Sequence, residues 1–452
     1  MKRIYRKRLS LTLLMISLSQ IGQATCLSTY SEITNADDST QVSSFYSHEN
    51  FVGAVDVSPL SKHSTLEFGT SVGKVLAVDR YQKQWLHETK MHSIQIGWRH
   101  CTTPDETDDF ASEYGYPEWA LHLMWGNYSG VKMKKQPSPD WGLLEPVDYA
   151  SNMGHLVALY GSFSRPIQRF RRWDWGYALE TGLAYNTRPY CRRNNIDNEL
   201  TGSHLLFYFG TSLYATLRLN ERWSARADLA FRHVSNGALN RPNKGANSFA
   251  PNLSLQYHLD ETADFSTKTP YSTSSFSPHN YYVAAFSLGG RTLLEEWVRT
   301  QYSVPPTDPE YRRDDFDFHP TYNLQLDAMR RYSRRWASGI GADLFYMPYV
   351  GKLRRHDAIY HPNKANQHHR LSAGLALKHE AFYGRLSMYV HLGVYLFRRT
   401  GYFQTVDETP YYERIGVRYR LPFDQNRWSV AVGIKAHKTK ADFSEITLSR
   451  RF

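Results

Sequence analysis

The sequence predicts an all-β protein, a transmembrane antiparallel β-barrel of about 16 strands, with about 14 as the alternative count. Two observations carry that prediction. Apolar and polar residues alternate with a period of two in one segment after another, as they must where the two faces of a strand meet different surroundings. The composition fits the same picture: 32 Tyr, 22 Phe and 11 Trp sit in a chain whose mean hydropathy is only −0.55. A membrane barrel has this profile because only every second residue faces lipid, while aromatic residues gather at the two interfaces.

Taken in order, the chain opens with a basic cluster (Lys2, Arg3, Arg6, Lys7, Arg8), an apolar run from Leu9 to Leu18 and the small-x-small Gly22-Gln23-Ala24. This reads as a secretory signal peptide over residues 1–24, since the apolar run is too short for the ~20 residues of a spanning helix. The residues before Cys26 do not form a leucine-led lipobox. Removing the leader takes five basic residues with it, so the formal charge of +11 falls to +6. A modest positive balance on an exported chain suits a phosphate-bearing lipid surface and argues against nucleic acid as a partner. Three cysteines (Cys26, Cys101, Cys191) are too few for a disulfide framework and have no zinc-site spacing.

Candidate strands follow near 64–76, 91–101, 118–128, 153–165, 173–187, 203–219, 222–235, 248–259, 280–292, 318–332, 335–348, 368–379, 383–397, 410–421, 427–438 and 442–452. In the segment 204–219, Leu205, Phe207, Phe209, Leu213, Ala215 and Leu217 share one face, opposite Tyr208, Gly210, Ser212, Tyr214 and Arg218. Short turns at Asn220-Glu221-Arg222, Ser333-Arg334, Glu380-Ala381-Phe382 and Pro422 to Arg427 belong on the periplasmic side. Long polar links at 129–152, 188–202, 293–317, 349–367 and 398–409 belong outside the cell. Two links on the periplasmic side, 102–117 and 260–279, are also long. No linker separates two domains, so residues 25–452 are expected to form a single outer-membrane barrel. The chain ends on an alternating segment that closes on Phe452, similar to the assembly signal of outer-membrane barrels.

Chemistry concentrates in the segment from Trp223 to Tyr257. Trp223, Ala225, Ala227, Leu229 and Phe231 fall on one face of a strand, and the same parity carries on to His233 and Ser235. A base and a nucleophile two residues apart thus project from the apolar face, beside aliphatic and aromatic groups. In a water-soluble protein that face would be a closed core. On a barrel it looks into lipid, and the substrate is then a lipid.

The run HVSNGALNRPNKGAN, within Phe231 to Tyr257, resembles the signature of the PagL-type lipid A 3-O-deacylases, also grouped as acyloxyacyl hydrolase-like outer-membrane proteins. The final KAHKTKADFSEITLSRRF is similar to the end of the larger, Bacteroidetes-type members. The resemblance implies a serine esterase that removes an ester-linked acyl chain from lipid A of lipopolysaccharide in the outer leaflet, with no metal or other cofactor. Its nucleophile and base fall on Ser235 and His233. The family's orienting carboxylate falls where this chain has Asn247, whose amide oxygen is able to orient an imidazole while stabilising its cation less.

Asn236 and the backbone N–H groups of Asn236 and Gly237 are the nearest donors for an oxyanion. Arg241 and Lys244, with Lys132, Lys134, Lys135, Arg192 and Arg193, are candidate contacts to lipid A phosphates. The competing expectation is a non-catalytic barrel, a pore or structural protein with a vestigial site, whose wet lumen is lined by Arg226, Asp228, Arg232, Glu180 and Arg218. Nothing in the sequence speaks to oligomeric state.

Overall fold

A computed structural model describes residues 63–452 apart from 105, 107, 138–144, 261–274, 364–366 and 439. The leader over 1–24 and Cys26 lie outside the described residues. Among the described residues sixteen long strands form the walls, and they close as two rings. The first ring comprises β1 (Ser64–Leu76), β2 (Leu86–Cys101), β3 (Glu118–Asn127), β4 (His155–Arg169), β5 (Trp173–Asn186), β6 (Leu205–Arg218), β7 (Trp223–Ser235) and β8 (Ala246–His258). β1 pairs with both β8 and β2, which shuts the ring.

The second ring comprises β9 (His279–Arg291), β10 (His319–Arg331), β11 (Trp336–Tyr346), β12 (Leu371–Tyr383), β13 (Leu386–Phe397), β14 (Tyr411–Arg420), β15 (Trp428–His437) and β16 (Lys440–Arg451), with β16 returning to β9. All of these pairings are antiparallel. Among the described residues no helix is long and apolar enough to cross a membrane.

Alternation explains each wall. Along β7, Ala227, Leu229 and Phe231 are exposed, while Arg226, Asp228, Ala230 and Arg232 are buried. The outward set elsewhere includes Phe68, Ile94, Ile96 and Leu253 on the first ring and Phe286, Leu326, Leu377 and Leu392 on the second, all exposed as lipid-facing groups are.

Inside, charge is neutralised pairwise. In the first ring Arg99 bonds Glu67 at 2.6 Å and Glu118 at 3.0 Å, Arg226 bonds Glu118 at 3.2 Å and Asp228 at 3.0 Å, and the Tyr208 hydroxyl donates to Glu180 at 2.7 Å. In the second, Lys378 bridges Asp327 and Asp343, Arg418 meets Glu380 at 2.7 Å and Lys435 meets Asp442 at 2.6 Å. An isolated charge there would be prohibitively costly, so these groups persist only as a connected set.

Two expectations change. The single ring of about 16 strands is replaced by two rings of eight, and the lumen changes with it. Eight strands enclose just enough space for side chains, whereas rings of about 16 leave an aqueous channel. The cavity among Glu67, Arg99, Arg226 and Arg232 measures only about 10 Å³, so Arg226, Asp228, Arg232 and Glu180 fill the interior rather than line a wet pore. Most of the long link 260–279, residues 261–274, lies outside the described residues.

The other long link, 102–117, reaches from the first ring to the turns of the second. There Tyr114 donates to the Phe382 carbonyl at 2.9 Å, and Arg334 bonds Asp109 at 2.8 Å and Glu113 at 3.1 Å. The turn read at 380–382 lies instead at Gly384-Arg385. Glu380 and Phe382 continue the inward face of β12, where Glu380 receives Arg418 and Ser387.

Closure in two rings has a direct test. Facing residues of antiparallel strands have Cα atoms about 4.5–5.5 Å apart, within disulfide reach. With the native cysteines replaced, Phe286→Cys with Leu448→Cys, and separately Phe68→Cys with Leu255→Cys, should crosslink on oxidation, because each pair faces across a closing seam. Crosslinking between Leu253→Cys and Phe286→Cys in place of these would indicate one continuous ring.

Candidate active site

The rim of the first ring brings three of the expected residues together. β7 carries His233 and Ser235 outward at its last turn-ward positions, and β8 sets Asn247 directly across from His233 in register. His233 Nδ1 lies 2.8 Å from Asn247 Oδ1, and His233 Nε2 lies 2.9 Å from Ser235 Oγ. A carbonyl oxygen only accepts, so Nδ1 carries the proton and donates to Asn247. Nε2 is then a lone pair that accepts from the Ser235 hydroxyl. Ser235 is buried and His233 partly so, at the edge of a wall whose next outward residues, Phe231 and Leu229, are exposed.

Gly245 makes room for the imidazole. Its φ is +74°, and a Cβ there would stand 2.5 Å from His233 Cε1. Any side chain at this position therefore strains the backbone and displaces the ring at once.

The donor candidates divide. The Asn236 N–H is already used, donating to Asn243 Oδ1 at 2.9 Å, which removes it from the expected set. The Asn236 side chain is 1 % exposed, yet its amide nitrogen and oxygen have no partner among the described residues. The Gly237 N–H also makes no hydrogen bond among the described residues. Unsatisfied buried polar groups are rare enough to require a reason. Asn243 was visible in the sequence only as part of the Pro242-Asn243 dipeptide, and its role as a brace for the residue after Ser235 was missed.

The basic residues are mostly committed elsewhere. Arg241 is buried and donates to the Thr292 carbonyl at 3.2 and 3.3 Å, and burial, with Arg291 nearby, brings its pKa down to about 10. It braces the loop and is not offered to a headgroup. Lys244 is partly exposed, 3.4 Å from Asp79 and 4.5 Å over the Tyr81 ring. Lys135 is buried against Glu199; burial opposes ionisation of that carboxyl, but the ammonium beside it holds it below its usual range. Lys132 pairs with Glu88 at 3.0 Å, while Arg192 and Arg193 remain exposed.

Among the described residues, three clusters of His, Asp and Glu have spacing that would suit an ion, namely His356, Asp357 and His361; Glu296, Asp317 and His319; and Glu408, His437 and Asp442. None includes Ser235, His233 or Asn247. The last already holds the Lys435 ammonium 2.6 Å from Asp442.

Comparison with known proteins divides the chain where the fold does. A family model described as lipid A 3-O-deacylase (PagL) matches residues 93–256, and one described as acyloxyacyl hydrolase, C-terminal domain, matches residues 279–452. No curated protein matches. Among solved structures, the outer membrane enzyme PagL is similar at 13 % identity over 42 % of this chain and 97 % of that one, with a TM-score of 0.26. An outer membrane channel from Pseudomonas putida F1 is similar at 8 % identity over 89 % and 100 % of the two chains, with a TM-score of 0.18. The copper transporter OprC is similar at 11 % identity over 81 % and 66 %, with a TM-score of 0.22. Through the two models, which between them match residues 93–256 and 279–452, the chain belongs to the PagL-type family of lipid A 3-O-deacylases and acyloxyacyl hydrolases.

Proposed function

We propose that this protein is an outer-membrane serine esterase that removes an ester-linked acyl chain from lipid A, with Ser235 as nucleophile, His233 as base and Asn247 as the orienting group. The observation that carries the reading is the continuous chain from Asn247 Oδ1 through His233 to Ser235 Oγ, at 2.8 and 2.9 Å, on the lipid-facing side of the wall. A membrane lipid reaches that side by lateral diffusion and presents its ester at the level of the rim.

The steps follow from the proton positions. Ser235 Oγ attacks the ester carbonyl while its proton passes to His233 Nε2. The oxyanion is received by the Asn236 side-chain amide and the Gly237 N–H, donors that are otherwise unused. Collapse breaks the bond to the sugar oxygen, which takes the proton from His233 Nε2 as it leaves. Water then attacks the acyl-serine, with His233 again taking and returning a proton, and releases the fatty acid. Every proton moves among Ser235, His233, the substrate and the attacking water, so the scheme balances with these groups alone.

The first ring's interior weighs against the pore reading. A channel needs an open path, and the paired charges there leave a cavity of about 10 Å³.

Mass spectrometry of lipid A from cells with and without the protein should show loss of one acyl chain only when it is present. Ser235→Ala and His233→Ala should each reduce that loss by at least about 10³-fold in a barrel that remains folded, because members of such a unit fail together. Unchanged deacylation by both variants would sink the assignment.

Asn247 supplies the finer test. Replacing the orienting carboxylate by an amide costs about 10⁴ in turnover in one serine protease, whereas here the amide is the native group and presents its oxygen. Asn247→Glu should keep or raise the rate. Asn247→Leu leaves the His233 Nδ1–H without an acceptor and should lower the rate by about 10²-fold or more. Full activity in Asn247→Leu would mean that another group orients the imidazole.

A further inference from the structure

The two rings meet at the loop that follows the nucleophile. Residues 236–245 join β7 to β8, and two consecutive carbonyls in that loop are held by the second ring. Ser444 Oγ, on the outward face of β16, donates to the Gly237 carbonyl at 2.8 Å. The Thr292 N–H, just past β9, donates to the Ala238 carbonyl at 2.9 Å. In return Arg241 donates to the Thr292 carbonyl. Ser444 lies opposite Gly290 in the closing seam of the second ring, so both clamps come from one rigid place.

The backbone they hold is a costly one. Gly237 has φ +60° and Ala238 has φ +69°. A left-handed alanine costs roughly 1–2 kcal/mol and persists only where its surroundings fix it. Gly237 also has no room for a side chain: a Cβ would stand 2.1 Å from Ser444 Oγ and 2.9 Å from the Phe207 ring. The peptide plane that bears the Gly237 N–H is pinned on its other side, because the Leu239 N–H donates to the Asn236 carbonyl at 3.1 Å. Ser444 therefore fixes one side of Gly237 and the local turn fixes the other, which leaves the Gly237 N–H as the unused donor between them.

Resting on the reading of Ser235 as the nucleophile, we infer that the second ring is part of the acyl-transfer site, with Ser444 as a positioning residue that aims the Gly237 N–H at the oxyanion. The first ring supplies the triad, and the second supplies the rigid stop against which the donor loop is set. Misplacing a donor without removing it weakens the transition state and leaves ground-state lipid binding alone. The signature is thus a fall in kcat at constant KM.

The test uses the full chain refolded or extracted in detergent, with lipid A as substrate and rates normalised to folded, heat-modifiable protein. Ser444→Ala should lower kcat about tenfold with KM little changed, and Ser444→Thr, which keeps the hydroxyl, should restore most of it. Wild-type kcat per folded molecule in Ser444→Ala, or a Ser444→Thr as slow as Ser444→Ala, overturns the inference. Ser235→Ala run in parallel separates the two levels. If Ser235→Ala is inactive while Ser444→Ala matches wild type, only the role of the second ring fails. If Ser235→Ala retains activity, the reading of the site itself fails.

Discussion

Every backbone N–H and C=O at hydrocarbon depth must find its partner within the protein, because lipid offers none. The strands of this chain meet that demand by closing, and they close after eight. All else follows from that number. A ring of eight has an interior that side chains fill, so the inward face becomes a network of buried ion pairs such as Arg99–Glu67 and Lys435–Asp442. Breaking one partner in such a network strands a charge and costs about 3–5 kcal/mol. The interior is thereby committed to holding the ring together, and function is left to the outside and the rims.

That displacement fits the proposed placement of the chemistry at the rim. His233 and Ser235 belong to the outward set of β7, continuing Leu229 and Phe231 up to the rim. A serine esterase with its nucleophile on the membrane face needs no pocket deep enough to enclose its substrate, since the bilayer already holds the acyl chain against the wall. What such an enzyme would need is order in the loop beyond the proposed nucleophile, Ser235. Asn243 braces Asn236, Gly245 gives way to the imidazole, and the second ring holds Gly237 and Ala238.

Local features of this arrangement were legible in the sequence, and features that depend on edge pairing were not. Alternation located all sixteen long strands, because lipid and a polar interior impose opposite demands on neighbouring side chains. It also set His233, Ser235 and Asn247 on one face, because parity survives across a paired strand. Alternation is silent about which edges join, so one ring of sixteen and two of eight read alike.

Glu380 misled for a related reason: a charged residue near a strand end reads as turn, but here it points inward to Arg418. The contact from Ser444 to Gly237 spans 207 positions and involves a common serine on a common strand. No local pattern signals it. The Arg241 guanidinium, read as a headgroup contact from its charge and loop position, is turned inward by the same junction.

The central claim is that Ser235 on the membrane face is an activated nucleophile, and covalent capture tests it most directly. Protein in outer-membrane vesicles is treated with a long-chain alkyl fluorophosphonate, which an activated serine oxygen attacks with loss of fluoride, and the modified residue is located by peptide mass spectrometry. The account predicts one adduct, on Ser235, formed by the wild type and lost in His233→Ala although that variant still carries the serine. A folded wild-type barrel that takes up no probe at Ser235, or a His233→Ala variant labelled there as fast as wild type, would contradict it.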